Sequence, residues 1–564
     1  MKLRGMFRLP VVVNAMCAVT LLSLPARAVA AEGSHAHLRG MAVPASSASR
    51  FDNLGPWHRT ISTASPQAQR YFDQGMRLLW GFNLEESQRS FEAAVALDST
   101  CASCWWGLAM SLGPHINLGG IPQRTVPAAH AATHAASLMT GASEVERALI
   151  TASSARYSDP PPATAAGQFA LDSAYAAAMR DVAARYPLDD DAQALCVEAL
   201  MDLHPWDYWN ADGTPQPWTP EIVSRLESIL ARDPLHPGAN HYFIHAVEAS
   251  PHPEQALASA DRLREMMPGA GHMVHMPSHI YQRVGRYEDA VTANRKAVAA
   301  DQAYEKQTAA PDFYRMYMSH TSHFLSWTYM VQGRSSDAVR AARAAAAQIP
   351  PEMARAMPGM DFFIAEPVFA LARFGRWGDL IREPAPPAGL PFLRGTWHYG
   401  RGLGFAGLGR LKEAARALDS LTAIRNATPA EAMEDINPAR GLLSIAVNVL
   451  AGEIRLRSGK KAEAVGSFQA AVAGEDSTRY SEAADWLYPT RHHLGKALLA
   501  AGQAPAAEAV YREDLKRNPE NGWALVGLAQ SLRLQGKLIE SAEAEARFKR
   551  AWSRADVVIT ASAY

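Results

Sequence analysis

Apolar residues recur along this chain at helical spacing, in blocks that are separated by small-residue turns. In Gly285-Arg286-Tyr287-Glu288-Asp289-Ala290, a glycine precedes an aromatic and then Ala290, Asn294, Ala297 and Asp301 along one helical face. Gly333-Arg334 through Ala338, Ala345 and Pro350 has the same layout, as do Gly409-Arg410-Leu411 to Ala414 and Gly459-Lys460-Lys461 to Ala464, Phe468 and Ala471. Gly502 to Ala507, Tyr511 and Pro519 gives another block, and Gly536 to Ser541 and Phe548 a weaker one. Near the start, Gly75, Leu78, Ser87, Phe91 and Ala94 keep the same offsets. Each block predicts two helices that cross at small residues and are joined by a tight turn. Alternating segments bounded by turn residues, the mark of strands, are scarce.

The pattern resembles the tetratricopeptide repeat (TPR), whose period is about 34 residues. The resemblance covers most of residues 66–112 and 235–552. It implies an all-α fold, a right-handed superhelical TPR solenoid of stacked helix-turn-helix repeats with a concave groove. Residues 113–234 fit the repeat poorly. Pro114, Pro122, Pro127 and Pro160-Pro161-Pro162 interrupt it, while 144–156 and 168–185 read as helices, so this stretch is expected to be a helical insertion. The expected divisions are an N-terminal repeat over 66–112, the insertion over 113–234, histidine-rich repeats over 235–350 and C-terminal repeats over 351–552.

The N-terminus carries Lys2, Arg4 and Arg8, an apolar stretch from Leu9 to Leu24, and Ala26-Arg27-Ala28 and Ala28-Val29-Ala30. This is the layout of a secretory signal peptide over residues 1–30, with cleavage near Val29 or Ala31. Residues 31–65 read as a disordered leader. With this N-terminus, the chain is similar to an exported bacterial-type TPR protein, periplasmic or secreted. No later segment reaches 18 apolar residues without charge, so stable membrane insertion is not expected.

The chain has 564 residues, of which 48% are hydrophobic, with 55 Lys plus Arg against 56 Asp plus Glu. Loss of the signal peptide removes Lys2, Arg4, Arg8 and Arg27 and takes the balance from −1 to −5. That balance argues against a globally basic nucleic-acid binder, and the partner expected for a solenoid groove is a protein or peptide.

The chemistry-bearing residues are few. Cys101-Ala102-Ser103-Cys104 stands at a predicted helix entrance. There is no second CxxC for zinc and no histidine after the motif for covalent haem, so the expectation is a local disulfide; a redox or copper(I) role is the alternative. Cys196, on an apolar face, reads as a buried free thiol. Asp189-Asp190-Asp191 reads as a helix start, Asp202 with His204 as a structural pair, and Arg491-His492-His493 as a candidate ligand contact. No phosphate-cradling loop, nucleophile elbow or HExxH motif is present, and no catalytic residue is assigned.

The 19 histidines are more informative. His241 and His245 are four apart and share a helix face, which Glu248 extends. His275 and His279 repeat that pair 34 residues on, one full period, with His272 ahead of them and His320 and His323 beyond. In the TPR family, positions 2, 5, 9 and 12 of the first helix line the groove. With Ser278 at position 8, His272, His275 and His279 take positions 2, 5 and 9; His241, His245 and Glu248 take 5, 9 and 12 one repeat earlier. With Ser326 at position 8 of the next repeat, His320 and His323 take 2 and 5.

Three readings stand. The histidines are ordinary groove side chains, or a metal-free acid/base cluster, or a transition-metal site (Cu, Zn or Fe) whose ligands are His241, His245, Glu248, His272, His275, His279, His320 and His323. The metal-binding protein or metal-dependent enzyme is thus the alternative to a protein-binding scaffold. Pro277 is the weak joint, because a helix that started there would turn His272 and His275 away.

Overall fold

The computed structural model describes residues 48–117, 125–308, 311, 313–357 and 359–564. The signal-peptide expectation, and residues 31–47 of the expected leader, lie outside them. The described residues are all-α apart from one two-stranded hairpin, Met433–Glu434 with Asn437–Pro438. They form two compact units. One holds 58–79 and 84–207; the other holds 49–57, 80–83 and 208–564.

The second unit is a stack of TPR-like helical pairs. Between the two helices of a pair stands a glycine in the left-handed region: Gly285, Gly333, Gly375, Gly409, Gly459, Gly502 and Gly536, with φ between 61° and 79°. The next residue donates its N–H back to the helix: Arg286 to Tyr281 O at 2.8 Å, Arg334 to Tyr329 O at 3.0 Å, Lys537 to Leu532 O at 3.0 Å. This is the Schellman closure, in which a residue without a Cβ takes the left-handed position at no steric cost. Gly375-Arg376-Trp377 makes a copy, between helices Asp361–Arg373 and Trp377–Arg382, that the sequence pattern did not reveal.

Where helices cross, glycine admits an aromatic ring. A Cβ on Gly495 or Gly527 would lie 2.3 or 2.2 Å from the Tyr511 ring, and one on Gly452 would lie 2.6 Å from Phe468. Late repeats pack on the turns of early ones. Tyr287 donates to Pro519 O and Trp523 Nε1 to Met330 O, each at 2.8 Å.

The expected insertion, 113–234, is divided between the units: its helix Thr219–Arg232 belongs to the second, while Val126–Leu138, Glu144–Ser154, Ala165–Arg185 and Asp190–Asp202 lie in the first. Asp189 caps the last of these through Ala192 N at 2.9 Å and pairs with Arg59 at 2.8 Å. Asp202 forms a buried ion pair with Arg156, at 2.5 Å. Both acids are structural.

The expected disordered leader is corrected for residues 48–65. Phe51, Leu54 and Ile61 are 7%, 1% and 6% exposed, and Ser62 donates its backbone N–H to Glu146 at 2.8 Å. Burial of apolar side chains and a satisfied backbone hold this stretch in place, which its polar composition did not suggest.

Glu146 supports a pH test. Burial opposes its charge, but the Ser103 and Ser62 hydroxyls, Ser62 N–H and Ser143 outweigh burial and hold its pKa at about 2. A carboxylate depressed in the folded state adds stability above its unfolded pKa, and that stability is lost as pH falls through the folded value. Urea melts should show Glu146→Gln less stable by about 2–3 kcal/mol at pH 7, with the difference closing between roughly pH 4.5 and 2. A pH-independent difference would show that the carboxylate charge is not what stabilises.

The Sγ atoms of Cys101 and Cys104 stand within bonding distance of each other at the start of helix Ala102–Ser111, and Cys196 is buried apart from them. For protein without residues 1–30, thiol titration in denaturant is expected to find one thiol before reduction and three after. Three before reduction would refute the pairing in solution.

Candidate metal centre

Three successive repeats of the second unit supply the histidines. Helix Pro237–Val247 carries His241 and His245; Gly271–His275 and Pro277–Arg283 carry His272, His275 and His279; Tyr314–Val331 carries His320 and His323. Pro277 removes one backbone donor, but Met276 keeps helical angles of φ −49° and ψ −37°. The helical path therefore runs on through the proline, and the three histidines stay on one face.

These residues are not open groove side chains. His241, His245, His272, His275 and His279 are at most 3% exposed, Glu248 is 0% exposed, and the His320 side chain is 16% exposed. The irregular stretch 477–489, between helices Lys461–Asp476 and Thr490–Ala500, reaches the cluster. Tyr480 donates to Glu248 Oε2 at 2.7 Å, and Glu482 Oε1 lies 3.1 Å from Nδ1 of both His245 and His279. Asn437, at the hairpin, fixes this stretch by accepting from Arg479 N at 2.8 Å and donating to Asp485 at 2.6 Å.

The ring nitrogens divide their work. Nδ1 of His241 faces the Trp80 carbonyl at 2.6 Å, and Nδ1 of His245 and of His279 faces Glu248 at 2.8 Å. Nδ1 of His275 faces Asn294 Oδ1 at 2.6 Å, and the Asn294 amide is oriented by its own donation to Ala290 O. All four partners are acceptors, so each Nδ1 carries the proton and each Nε2 presents a lone pair. Those lone pairs face one another. Nε2 of His241 is 3.1 Å from that of His245, and Nε2 of His275 is 2.8 Å from that of His279; Nε2 of His272, whose Nδ1 is not committed in this way, lies 3.2 Å from that of His241. Acceptors this close repel unless a cation lies between them. Nitrogens bound tetrahedrally at 2.0–2.1 Å would stand roughly 3.3 Å apart.

The site's electrostatics favour the neutral ring at three of the histidines and a fixed negative charge at Glu248. Burial, then repulsion from neighbouring imidazoles, pushes the pKa of His272, His275 and His320 well below the ordinary value. At His245, burial is outweighed by Glu482 and Glu248, which raise it. Burial also opposes the Glu248 charge, but His279 and His245 hold its pKa well below the carboxylate range. Glu482 is pushed well above that range by burial and then by Glu248.

Three donor groups result, each with ligand atoms within 4.8 Å of one another: His241, His245 and His272; His275, His279 and His320; and His245, Glu248, His279 and Glu482. A phenyl ring packs on each histidine trio. Phe82 lies 4.5, 6.2 and 5.6 Å from the first three rings, and Phe324 lies 4.7, 4.5 and 4.8 Å from the second three.

His323 is the departure from expectation. It joins none of these groups; its Nδ1 lies 3.3 Å from Glu366, and its ring packs on Phe362 and Phe363. The position four residues on holds Trp327, so this repeat cannot complete a histidine pair. Glu248 is present, but it bonds the far nitrogens of two rings. Glu482, Tyr480, Trp80 and Phe82 had no local motif; the one cue was the break in the repeat between Asp476 and Thr490. Arg491, His492 and His493 are held by Asp476, Asp514 and Glu453.

No protein-family model and no curated protein matches the sequence. Among solved structures, a human IFIT1 dimer with m7Gppp-AAAA aligns over 87% of this chain and 96% of its own, at 12% identity and a TM-score of 0.34. A Rap protein complexed with competence and sporulation factor aligns over 68% of this chain and 93% of its own, at 12% identity and a TM-score of 0.35. The superpositions are loose, and no residue of the histidine cluster is carried across from them. Among the described residues, no helix is long and apolar enough to cross a membrane.

His279→Ala would open a cavity and take one partner from the buried Glu248 carboxylate. In chelator-treated protein it should cost about 3–5 kcal/mol in urea unfolding, the range for a broken buried pair. A cost no larger than that of His320→Ala, at the partly exposed ring, would refute the Glu248 bridge.

Proposed function

We propose that this protein binds first-row transition metal through the buried imidazoles of its histidine-rich repeats. The observation that carries this reading is the two sets of facing Nε2 lone pairs, His241 with His245 at 3.1 Å and His275 with His279 at 2.8 Å, while all four Nδ1 sides are committed to acceptors. Imidazole suits Cu, Zn, Fe and Ni, and carboxylates that hold the second ring nitrogen are the usual orienting partners of such ligands. His241, His245, His272, His275, His279 and His320 are the ligands in this reading, with Glu248 and Glu482 as orienting or additional oxygen donors. His323 is left out of the set. A helical-repeat scaffold suits this task, because stacked helices hold i, i+4 pairs in fixed register. Tyr480 and Glu482 lie on the histidine-lined face, so a peptide partner would dock on another surface of the repeats. In this reading the protein works in the periplasm or outside the cell, which the charged and then apolar pattern of its first thirty residues supports.

The test is elemental analysis of tag-free protein from its native host, together with reloading of chelator-treated protein. At least one equivalent of Cu, Zn or Fe per chain is expected. The pair His245→Gln with His279→Gln, which leaves an amide donor for Glu248, should lose that metal. Wild-type protein that retains and reloads no first-row metal at micromolar concentration would leave the metal-free acid/base cluster as the correct reading.

A further inference from the structure

The two histidine trios follow one construction rule. In the first, His241 and His245 stand at repeat positions 5 and 9, and His272 comes from position 2 of the following repeat. In the second, His275 and His279 stand at positions 5 and 9, and His320 comes from position 2 of the repeat after that. Each trio meets a single phenyl ring that touches all three imidazoles, Phe82 in one and Phe324 in the other. The second trio is therefore a translated copy of the first, displaced by one step of the stack.

The copying stops at both ends for visible reasons. One repeat before His272, position 2 is Gly238, where a Cβ would lie 2.6 Å from the Trp80 ring; glycine there admits the tryptophan whose carbonyl orients His241. One repeat beyond His279, position 5 is His323, but position 9 is Trp327, and His323 turns to Glu366.

A single six-coordinate ion would need all six nitrogens within about two bond lengths of one another, roughly 4.2 Å. They separate instead into two trios. Glu248 stands between these, with Oε1 on His245 of the first and Oε2 on His279 of the second, each at 2.8 Å. The facing rings of the two trios remain close, with centroids 5.6 Å apart for His245 and His279 and 6.0 Å for His272 and His275. Two cations so near each other repel, and the shared Glu248 carboxylate supplies negative charge that offsets this.

Resting on the metal-binding reading above, we infer that the cluster is a two-ion centre, with one first-row ion in each three-imidazole site and Glu248 as the carboxylate that couples them. Three protein ligands leave a further coordination position at each ion, the arrangement of sites that bind an exchangeable ligand rather than of closed structural sites.

The experiment titrates chelator-treated full-length protein with zinc(II), and metal per chain is counted after gel filtration. Wild-type protein should hold two equivalents. His272→Leu and His320→Leu, each of which removes one ring of one trio, should each hold one equivalent, and the double variant none. His323→Leu should still hold two. Glu248→Gln should weaken both sites by roughly 10–100-fold, the range for loss of an orienting partner. His272→Gln and circular dichroism of every variant guard against unfolding as the cause of loss. One equivalent in wild-type protein, abolished by either single variant, would overturn the two-ion centre and leave metal binding intact. No zinc and no other first-row metal in wild-type protein would overturn both.

Discussion

The buried carboxylate of Glu248 governs the arrangement around it. At the end of helix Pro237–Val247, it meets Nδ1 of His245 in its own repeat, Nδ1 of His279 in the next and the Tyr480 hydroxyl from over two hundred residues away. An ionised carboxylate without exposure is tolerated only when several donors surround it. In meeting that need, the protein fixes the tautomer of two imidazoles and ties two repeats to a distant loop. The lone pairs on the far side of those rings are a consequence of this one charge.

The repeat supplies the second constraint. Helical pairs closed by left-handed glycines stack with little freedom, so residues one period apart sit side by side in space. A histidine pair copied from one repeat to the next is then held by backbone rather than by long flexible side chains. This rigidity suits ligands that must present nitrogens within a few tenths of an ångström. The phenyl rings of Phe82 and Phe324, with the cap formed by Tyr480 and Glu482, keep water from the trios and lower the local dielectric. Neutral imidazoles are favoured there, and any charge placed among them must be balanced close by.

Much of this was legible in the residues themselves. Period, turn glycines and small crossing residues predicted an all-α TPR-like fold, and the 34-residue recurrence of His241/His245 at His275/His279 singled out the cluster. Both rest on local rules of helix geometry, which act between residues close in sequence. The repeat at Gly375 escaped notice because its second helix, Trp377–Arg382, is too short to show a helical period. Residues 48–65 looked like a leader because their few apolar residues reveal a purpose only when a surface is there to receive them.

Tertiary structure alone decided which histidines act together and in what chemical state. His323 has the same repeat register as His241 and His275, yet it turns to Glu366, because packing with Phe362 and Phe363 settles a side chain that has no paired imidazole. Trp80, Glu482 and Tyr480 carry no motif, and they meet the cluster only once the chain has folded back on itself. The sequence determined the period and therefore the face on which the histidines stand. Burial, tautomer and the division into two trios follow from contacts between residues remote in sequence, whose meeting no local spacing encodes.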